Sequence, residues 1–472
     1  MDLTNNTSGW ELEENPLPTE TGIIPHCIAV FGQANDSYTG FKNSPVQVAD
    51  SHEAAEIFGQ GSQLHRLIIP LAGVASKIVC FVVEKPVVGT AKIIELTMSA
   101  EPAENGRLTI NVGNDSITVD YIKATSLPDI YTLIAQAINQ NTTLPVTALA
   151  EADKAILTTK WADDSANTII ISASNNGVET IDINETKASG TVNLKDIFAA
   201  MSDRWYTLAV LPYTDSTVIM QAVQLAEEML DPKVHRPMLM VAGSVQGYAE
   251  FKTSVQGYDS RCLMIVNVPA SVTPAGEISA DEVYKRIMCS QEQPNLSGRN
   301  IALRYTKPGN MMLSDSQKQT VTQAGGATVS YINGSVYVDN DCTTSKTIKG
   351  KPNDIWHWAD SVLCNMAKVH TLNTMFSSAP FDDYIMVDEK STTVKPKALK
   401  PSTVKQYLRN QMKQWNENAW SKNLDDMQKS IQVFTPRGNP RSYLIKFMDD
   451  YAVAGRRIFV EYAPTITSKA GE

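Results

Sequence analysis

Apolar and polar positions follow two different periods along this chain, and the points where the period changes divide it. Residues 23–32 (IIPHCIAVFG) and 77–83 (KIVCFVV) are nearly unbroken apolar runs, the pattern of strands covered on both faces. Between them the pattern predicts a short strand at 45–48 and a helix at 53–58, opened by Ser51 with Glu53 and Glu56 near its positive end. Gly59-Gln60-Gly61 breaks that helix, and Ser62 caps a second one through Leu64, Leu67 and Ile68. This is a β-α-β beginning. After Pro86 the period falls to two. Segments 108–112 and 116–122 alternate as strands across Gly113-Asn114-Asp115, and a helix over 129–138 gathers Ile130, Leu133, Ile134, Ala137 and Ile138 on one face. Further strands are expected at 145–149, 155–159 and 168–172, so residues 87–190 read as a β-rich domain inserted into the first.

The α/β rhythm then resumes. Helices are expected at 194–201, 216–230, 248–256 and 280–288, and strands at 206–212, 238–242 and 262–268, which implies a parallel or mixed sheet covered on both faces. A hairpin spans 327–332 and 335–339 across Asn333-Gly334. Long helices follow at 355–376 and 402–415, with last strands near Ile431, Leu444 and Ile458. The fold class is therefore α/β, α+β overall: a multidomain chain with a mixed core, a β-rich insertion and extended arms. The expected division is an N-terminal arm (1–22), a core in two parts (23–86 and 191–300), the insertion (87–190), a C-terminal domain (301–455) and a C-terminal arm (456–472).

The two ends do not look able to fold on themselves. Residues 1–41 contain no Lys or Arg, and residues 4–22 offer only Trp10, Leu12 and Leu17 for burial, too little to offset the entropy of ordering the segment. At the other end Arg456-Arg457-Ile458-Phe459-Val460-Glu461-Tyr462 is a dense β-forming run closed by Pro464. A terminal strand without a hairpin partner must pair with something distant or with another chain. Gly22 and Gly455 stand at the roots of the arms as hinge positions.

Composition narrows the class. With 472 residues the chain exceeds one ordinary core. No apolar run reaches the roughly 18 to 20 residues of a transmembrane helix, and the acidic N-terminus is unlike a signal peptide, so a soluble protein without membrane insertion is expected. The six cysteines are scattered with no CxxC pair, as for free buried thiols. Charge is strongly divided. Residues 390–446 hold twelve Lys and Arg against three Asp and Glu, a net of +9, which leaves −19 for the rest of a chain totalling −10. Such separation suits contact between copies or with an acidic partner, and an acidic chain without a recognition motif argues against nucleic acid. Lys405, Arg409 and Lys413 fall at i, i+4 and i+8 of the 402–415 helix, a basic row suited to such a contact, or simply a solvated face.

Catalytic motifs are weak by comparison. Gly59-Gln60-Gly61-Ser62 lacks the Lys-Ser/Thr of a phosphate loop and the third Gly of a dinucleotide fingerprint, which leaves a turn and a cap. His52-Glu53-Ala54-Ala55-Glu56 lacks the second His of a zinc protease. Asp382-Asp383 and Asp449-Asp450 read as solvated pairs, Trp356-His357-Trp358 as packing on a helix, and no GxSxG elbow is present. No cofactor or metal is expected.

Several short motifs occur in an order that resembles the tail sheath proteins of Mu-like contractile-tail bacteriophages. They are Phe58-Gly59-Gln60-Gly61-Ser62-Gln63-Leu64, Pro145-Val146-Thr147-Ala148, Leu211-Pro212-Tyr213-Thr214-Asp215, the Asn333-Gly334 hairpin followed by Thr343-Thr344, and Thr435-Pro436-Arg437. The chain departs from that pattern at Ser345-Lys346-Thr347-Ile348, which lacks an expected aromatic residue. The resemblance implies a structural subunit, not an enzyme. It would stack with its own copies as hexameric rings around a tail tube protein, meet baseplate and tail terminator proteins, and contract to drive the tube through a host cell envelope. It would be assembled in the host cytoplasm and reside in the virion tail. The C-terminal region would form the inner part of each subunit. The arms, with Trp10, Leu12 and Leu17 at one end and Arg457, Ile458, Phe459, Val460, Glu461 and Tyr462 at the other, would cross to neighbours and complete a small sheet. Lys405, Arg409 and Lys413 would then touch the tube. The competing reading is a cytoplasmic α/β enzyme with an inserted β domain.

Overall fold

The computed structural model describes residues 24–456 apart from 75, 202, 203, 232, 349, 396 and 437–440. The chain opens with β1 (Cys27–Gly32), β2 (Pro45–Val48), α1 (Ser51–Phe58), α2 (Gln63–Ile68) and β3 (Lys77–Val82). The cap of α1 is Asp50 rather than the expected Ser51, because its carboxylate accepts from the amides of both His52 and Glu53. Ser62 caps α2 as expected.

Residues 93–186 form β4 (Ile93–Met98), β5 (Gly106–Val112), β6 (Asp115–Tyr121), α3 (Leu127–Gln140), β7 (Val146–Ala150), β8 (Ala155–Thr159), β9 (Ile171–Asn175) and β10 (Ile181–Thr186). They make two antiparallel sheets, β10-β4-β8-β7 and β6-β5-β9, around a hydrophobic cluster of their own that includes Ile94, Ile110, Ile134 and Leu157. The strand expected at 168–172 lies at 171–175 instead, since Asp163 caps a 3-10 turn over Asp164–Thr168. The buried face of α3 takes Tyr131 and Ala135, whereas the expected Leu133 and Ala137 are half-buried.

The chain returns through α4 (Lys195–Ala200), β11 (Leu208–Leu211), α5 (Ser216–Met229), β12 (Leu239–Ser244), α6 (Tyr248–Gln256), β13 (Leu263–Asn267) and α7 (Ala275–Glu292). These strands join the first three in one sheet of order β13-β12-β11-β1-β3-β2, parallel except for β2. Every residue of β1, β11, β12 and β13 is buried, which explains their unbroken apolar sequence. Alternate side chains serve opposite faces. Val30, Val210 and Val241 pack with Ile278, Val283 and Ile287 of α7, while Phe31, Phe81 and Met240 pack with Ala222 of α5 and Phe251 of α6.

A small sheet, β14-β16-β15, follows from β14 (Ala302–Leu303), α8 (Asp315–Gln323), β15 (Thr328–Ile332) and β16 (Ser335–Asn340). Asn333 and Gly334 both have positive φ, 52° and 78°, as the tight hairpin requires. The remainder is β17 (Thr347–Ile348), β18 (Lys351–Pro352), α9 (Ala359–Phe376), β19 (Ile385–Met386), β20 (Ala398–Leu399), α10 (Pro401–Glu417), α11 (Leu424–Ser430), β21 (Gln432–Phe434) and β22 (Leu444–Lys446). Val404, Leu408, Met412 and Trp415 of α10 bury with Leu363 and Met366 of α9, in the same cluster as the α7 face of the central sheet. Trp356-His357-Trp358 precedes α9 instead of lying on it.

Candidate assembly surfaces and the arm root

In an open parallel sheet the ligand crevice lies beyond the carboxyl ends of the strands, where the strand order reverses. Here that place is next to β1, which has β3 on one side and β11 on the other. Residues 161–165 fill it. Gln33 Nε2 donates to Asp163 Oδ2 at 2.6 Å, Ala162 N donates to Gln33 Oε1 at 3.2 Å, and Gln63 Nε2 donates to Ser165 Oγ at 2.9 Å. The space left beside Gln63, Arg66, Trp161 and Glu277 is about 10 Å³, room for one water. A second cavity of about 130 Å³ lies between α5 and α6, and its lining of Thr214, Ser216, Ser244, Gln246, Ser254, Tyr258 and apolar neighbours carries no ionised side chain or imidazole.

The candidate catalytic motifs are absorbed by structure. Gly59 and Gly61 take φ of 91° and 69°, Gly61 N donates to His65 Nδ1, and Ser62 Oγ accepts from His65 N, so the glycine segment is a turn and a cap. His52 pairs with Glu56 on an exposed face. No group of three His, Cys, Asp or Glu residues is placed to hold a metal among the described residues, and all six cysteines are buried and free. Asp449 is a correction to the sequence reading. It is no solvated acid but receives the buried Lys368 ammonium at 2.8 Å.

The root of the C-terminal arm is held by side chains from four parts of the chain. Lys368 of α9 also donates to Ser421 Oγ at 2.8 Å and lies 3.7 Å from the Tyr451 ring centroid. Tyr451 donates its hydroxyl to Asn365 at 2.9 Å, and Asn295 Nδ2 donates to the Ala452 carbonyl at 2.8 Å. Arg299 donates to the carbonyls of Gly455 at 2.6 Å and Arg456 at 2.9 Å. Arg456 then turns inward. Its guanidinium donates to Asp341 and, at 2.7 Å, to Asp360, and stacks 3.7 Å from the centroid of the Trp358 indole. A Cβ at Gly455 would meet open space.

Asp341 is shared. Its other oxygen accepts from Arg286 of α7 at 2.7 Å, and Arg286 Nε donates to Glu282 at 2.6 Å, with Lys285 3.1 Å from the same carboxylate. Burial opposes ionisation of Asp341, but Arg286 and Arg456 outweigh it and hold its carboxyl below the usual range. Asp360, desolvated and beside Asp341, is pushed up to about 6. Sequence reasoning missed this network, since nothing in the residue types of Glu282, Lys285 and Arg286 marks them as buried. The i, i+3 and i+4 spacing was its only signal.

Two surfaces remain open. The β21–β22 ladder pairs Val433 with Ile445 and has no third strand among the described residues. Phe434, Leu444 and Met448 are exposed around it. On α10, Lys405, Arg409 and Lys413 form one row beside the buried stripe. Arg409 and Lys413 are exposed and Lys405 is half-buried, with Lys413 3.5 Å from Glu417. Trp10, Leu12, Leu17, Gly22, Arg457, Ile458, Phe459, Val460, Glu461 and Tyr462 lie outside the described residues.

No family model matches the sequence, and no curated protein matches it. Solved structures do. The sheath tail protein of Desulfitobacterium hafniense superposes with a TM-score of 0.51 at 12% identity, over 94% of this chain and 100% of the other. The sheath tail protein of Listeria innocua gives 0.50 at 12% identity, over 91% of this chain and 93% of the other. At this identity the likeness is one of fold, and it extends through the insertion and the C-terminal elements alike. The chain has the fold of tail sheath proteins.

Proposed function

We propose that this protein is the repeating subunit of a contractile tail sheath, stacked as hexameric rings around an inner tube that its contraction drives through a cell envelope. The observation that carries the reading is the fold match, which spans both chains nearly end to end. Features of this chain support it. Among the described residues the β21–β22 ladder is a two-stranded sheet, of the kind an extended arm from a neighbour completes by main-chain hydrogen bonds. The sequence supplies two candidate donors, the acidic arm with Trp10, Leu12 and Leu17 and the β-forming run 457–462. Strand exchange of this type keeps neighbours joined while their bodies rotate, with Gly22 as a pivot; Gly455, the other expected hinge, has its carbonyl held by Arg299 beside the bound Arg456.

The partners follow from the same reading: other copies of the chain, a tail tube protein contacted through Lys405, Arg409 and Lys413, and baseplate and terminator proteins at the two ends. The working place is the tail of a Mu-like phage particle or a phage-derived device, with assembly in the host cytoplasm. The enzyme reading is disfavoured by the filled crevice at the end of β1. The test is to mix the protein with its tube protein and image the product. Tubes decorated at a regular axial repeat are expected, and bare tubes beside free subunits would refute the proposal.

A further inference from the structure

The buried charges around Arg456 form a closed set. Glu282, Asp341 and Asp360 supply three carboxylates and Lys285, Arg286 and Arg456 three cations, and apart from Arg456 every one of these side chains is at most 1% exposed. Five of the six belong to the body of the subunit. The sixth, Arg456, is the first residue of the arm and the last one described. Without Arg456 the body would bury two carboxylates of unlike elements, Asp341 after β16 and Asp360 of α9, against only the cations of α7, which is costly in a low dielectric.

We propose that Arg456 is the anchor that fixes the C-terminal arm to the body of the subunit, so that a pull on the arm is delivered to α7 and the central sheet. The geometry has the parts of an anchor. The guanidinium engages two carboxylates from different elements and an indole face, and the main chain on either side is gripped separately by Arg299. From Asp341 the path is continuous through Arg286 into α7, whose Ile278, Val283 and Ile287 pack on the sheet. Upstream, Lys368, Asn365 and Asn295 hold residues 449–452, so the load would meet the anchor before it reached the weaker loops. The force-bearing role rests on the sheath reading, but the anchor itself does not.

The experiment is hydrogen–deuterium exchange on the full-length, unassembled protein, read in peptides covering residues 449–456 and in α7. Arg456→Met opens the cluster. Because that change leaves an unbalanced buried carboxylate and can unfold the chain, the Arg456→Met/Asp360→Asn pair restores neutrality, and Arg456→Lys keeps the charge without the fork. In the neutral double variant, exchange at 449–456 should quicken roughly tenfold while α7 stays protected, with Arg456→Lys in between. Wild-type exchange at 449–456 in the double variant would overturn the anchor. Assembled tubes of that variant should break into rings on contraction, and intact contracted tubes would overturn the force path. If wild-type protein forms no tubes at all, the sheath reading fails while the exchange result still decides the anchor.

Discussion

Arg66 of α2 donates to Asp115, the first residue of β6 in the inserted region, at 2.8 Å, and its Nε donates to Glu277 of α7 at 2.7 Å. One buried guanidinium thus joins the insertion to α2 and α7, which pack together on one face of the central sheet. Arg66 and Glu277 are nearly inaccessible, whereas Asp115 is about one-third exposed. Arg66→Met should therefore destabilise by about 3–5 kcal/mol, because Glu277 is left buried and unpaired. Asp115→Asn should cost under about 1 kcal/mol. Urea unfolding of both variants checks the ordering, and equal losses would contradict it.

Acid should destabilise the protein through its buried imidazoles. His26 joins the starts of β1 and β11 to the end of α7, with Nδ1 2.9 Å from Thr207 Oγ1 and Nε2 2.6 Å from Ser290 Oγ. Desolvation lowers its pKa from 6.5 to about 4, so the folded state holds it neutral. The unfolded chain binds this proton first. The stability due to His26 is full above pH 6.5 and is lost as pH falls toward 4, by about 3 kcal/mol. Asp163 acts oppositely. Burial raises it to about 6, so its contribution grows as pH drops through that value. His26→Gln should remove about one proton from the slope of stability against pH between 6.5 and 4, and an unchanged slope would contradict the assignment.

Deleting residues 1–20 should leave a folded core that no longer forms tubes, as judged by circular dichroism and electron microscopy. Val460→Pro should act similarly by removing a ladder donor. Tubes of ordinary length from either variant would rule out strand exchange through that arm.

Reversing Lys405, Arg409 and Lys413 to Glu should weaken attachment to the tube more than self-assembly, because the row lies outside the buried stripe of α10. Co-sedimentation with tube protein at graded salt reads the difference. If self-assembly fails equally, the row belongs to a contact between sheath subunits.

Most of the architecture was legible where burial and periodicity agree. The runs at β1 and β3, the Asn333-Gly334 hairpin and α6 follow from their sequences because each meets one kind of environment. The failures have physical causes. β10 alternates but buries almost nothing, so no apolar signal marks it. The helix expected at 280–288 starts earlier, at Ala275. Its charged residues give no sequence sign of burial, yet Glu277 is buried against Arg66, Asp281 accepts from the amides of residues 304–306, and Glu282 pairs with Lys285 and Arg286. The arm root was invisible for the same reason. Its residues Asn295, Arg299, Asp341, Asp360 and Lys368 meet only in space.

The most direct test of the sheath account is electron microscopy of the purified protein at high concentration, alone and then with tube protein. The account predicts hollow, transversely striated tubes of uniform diameter in at least the second condition. Monodisperse single subunits in both conditions would contradict it.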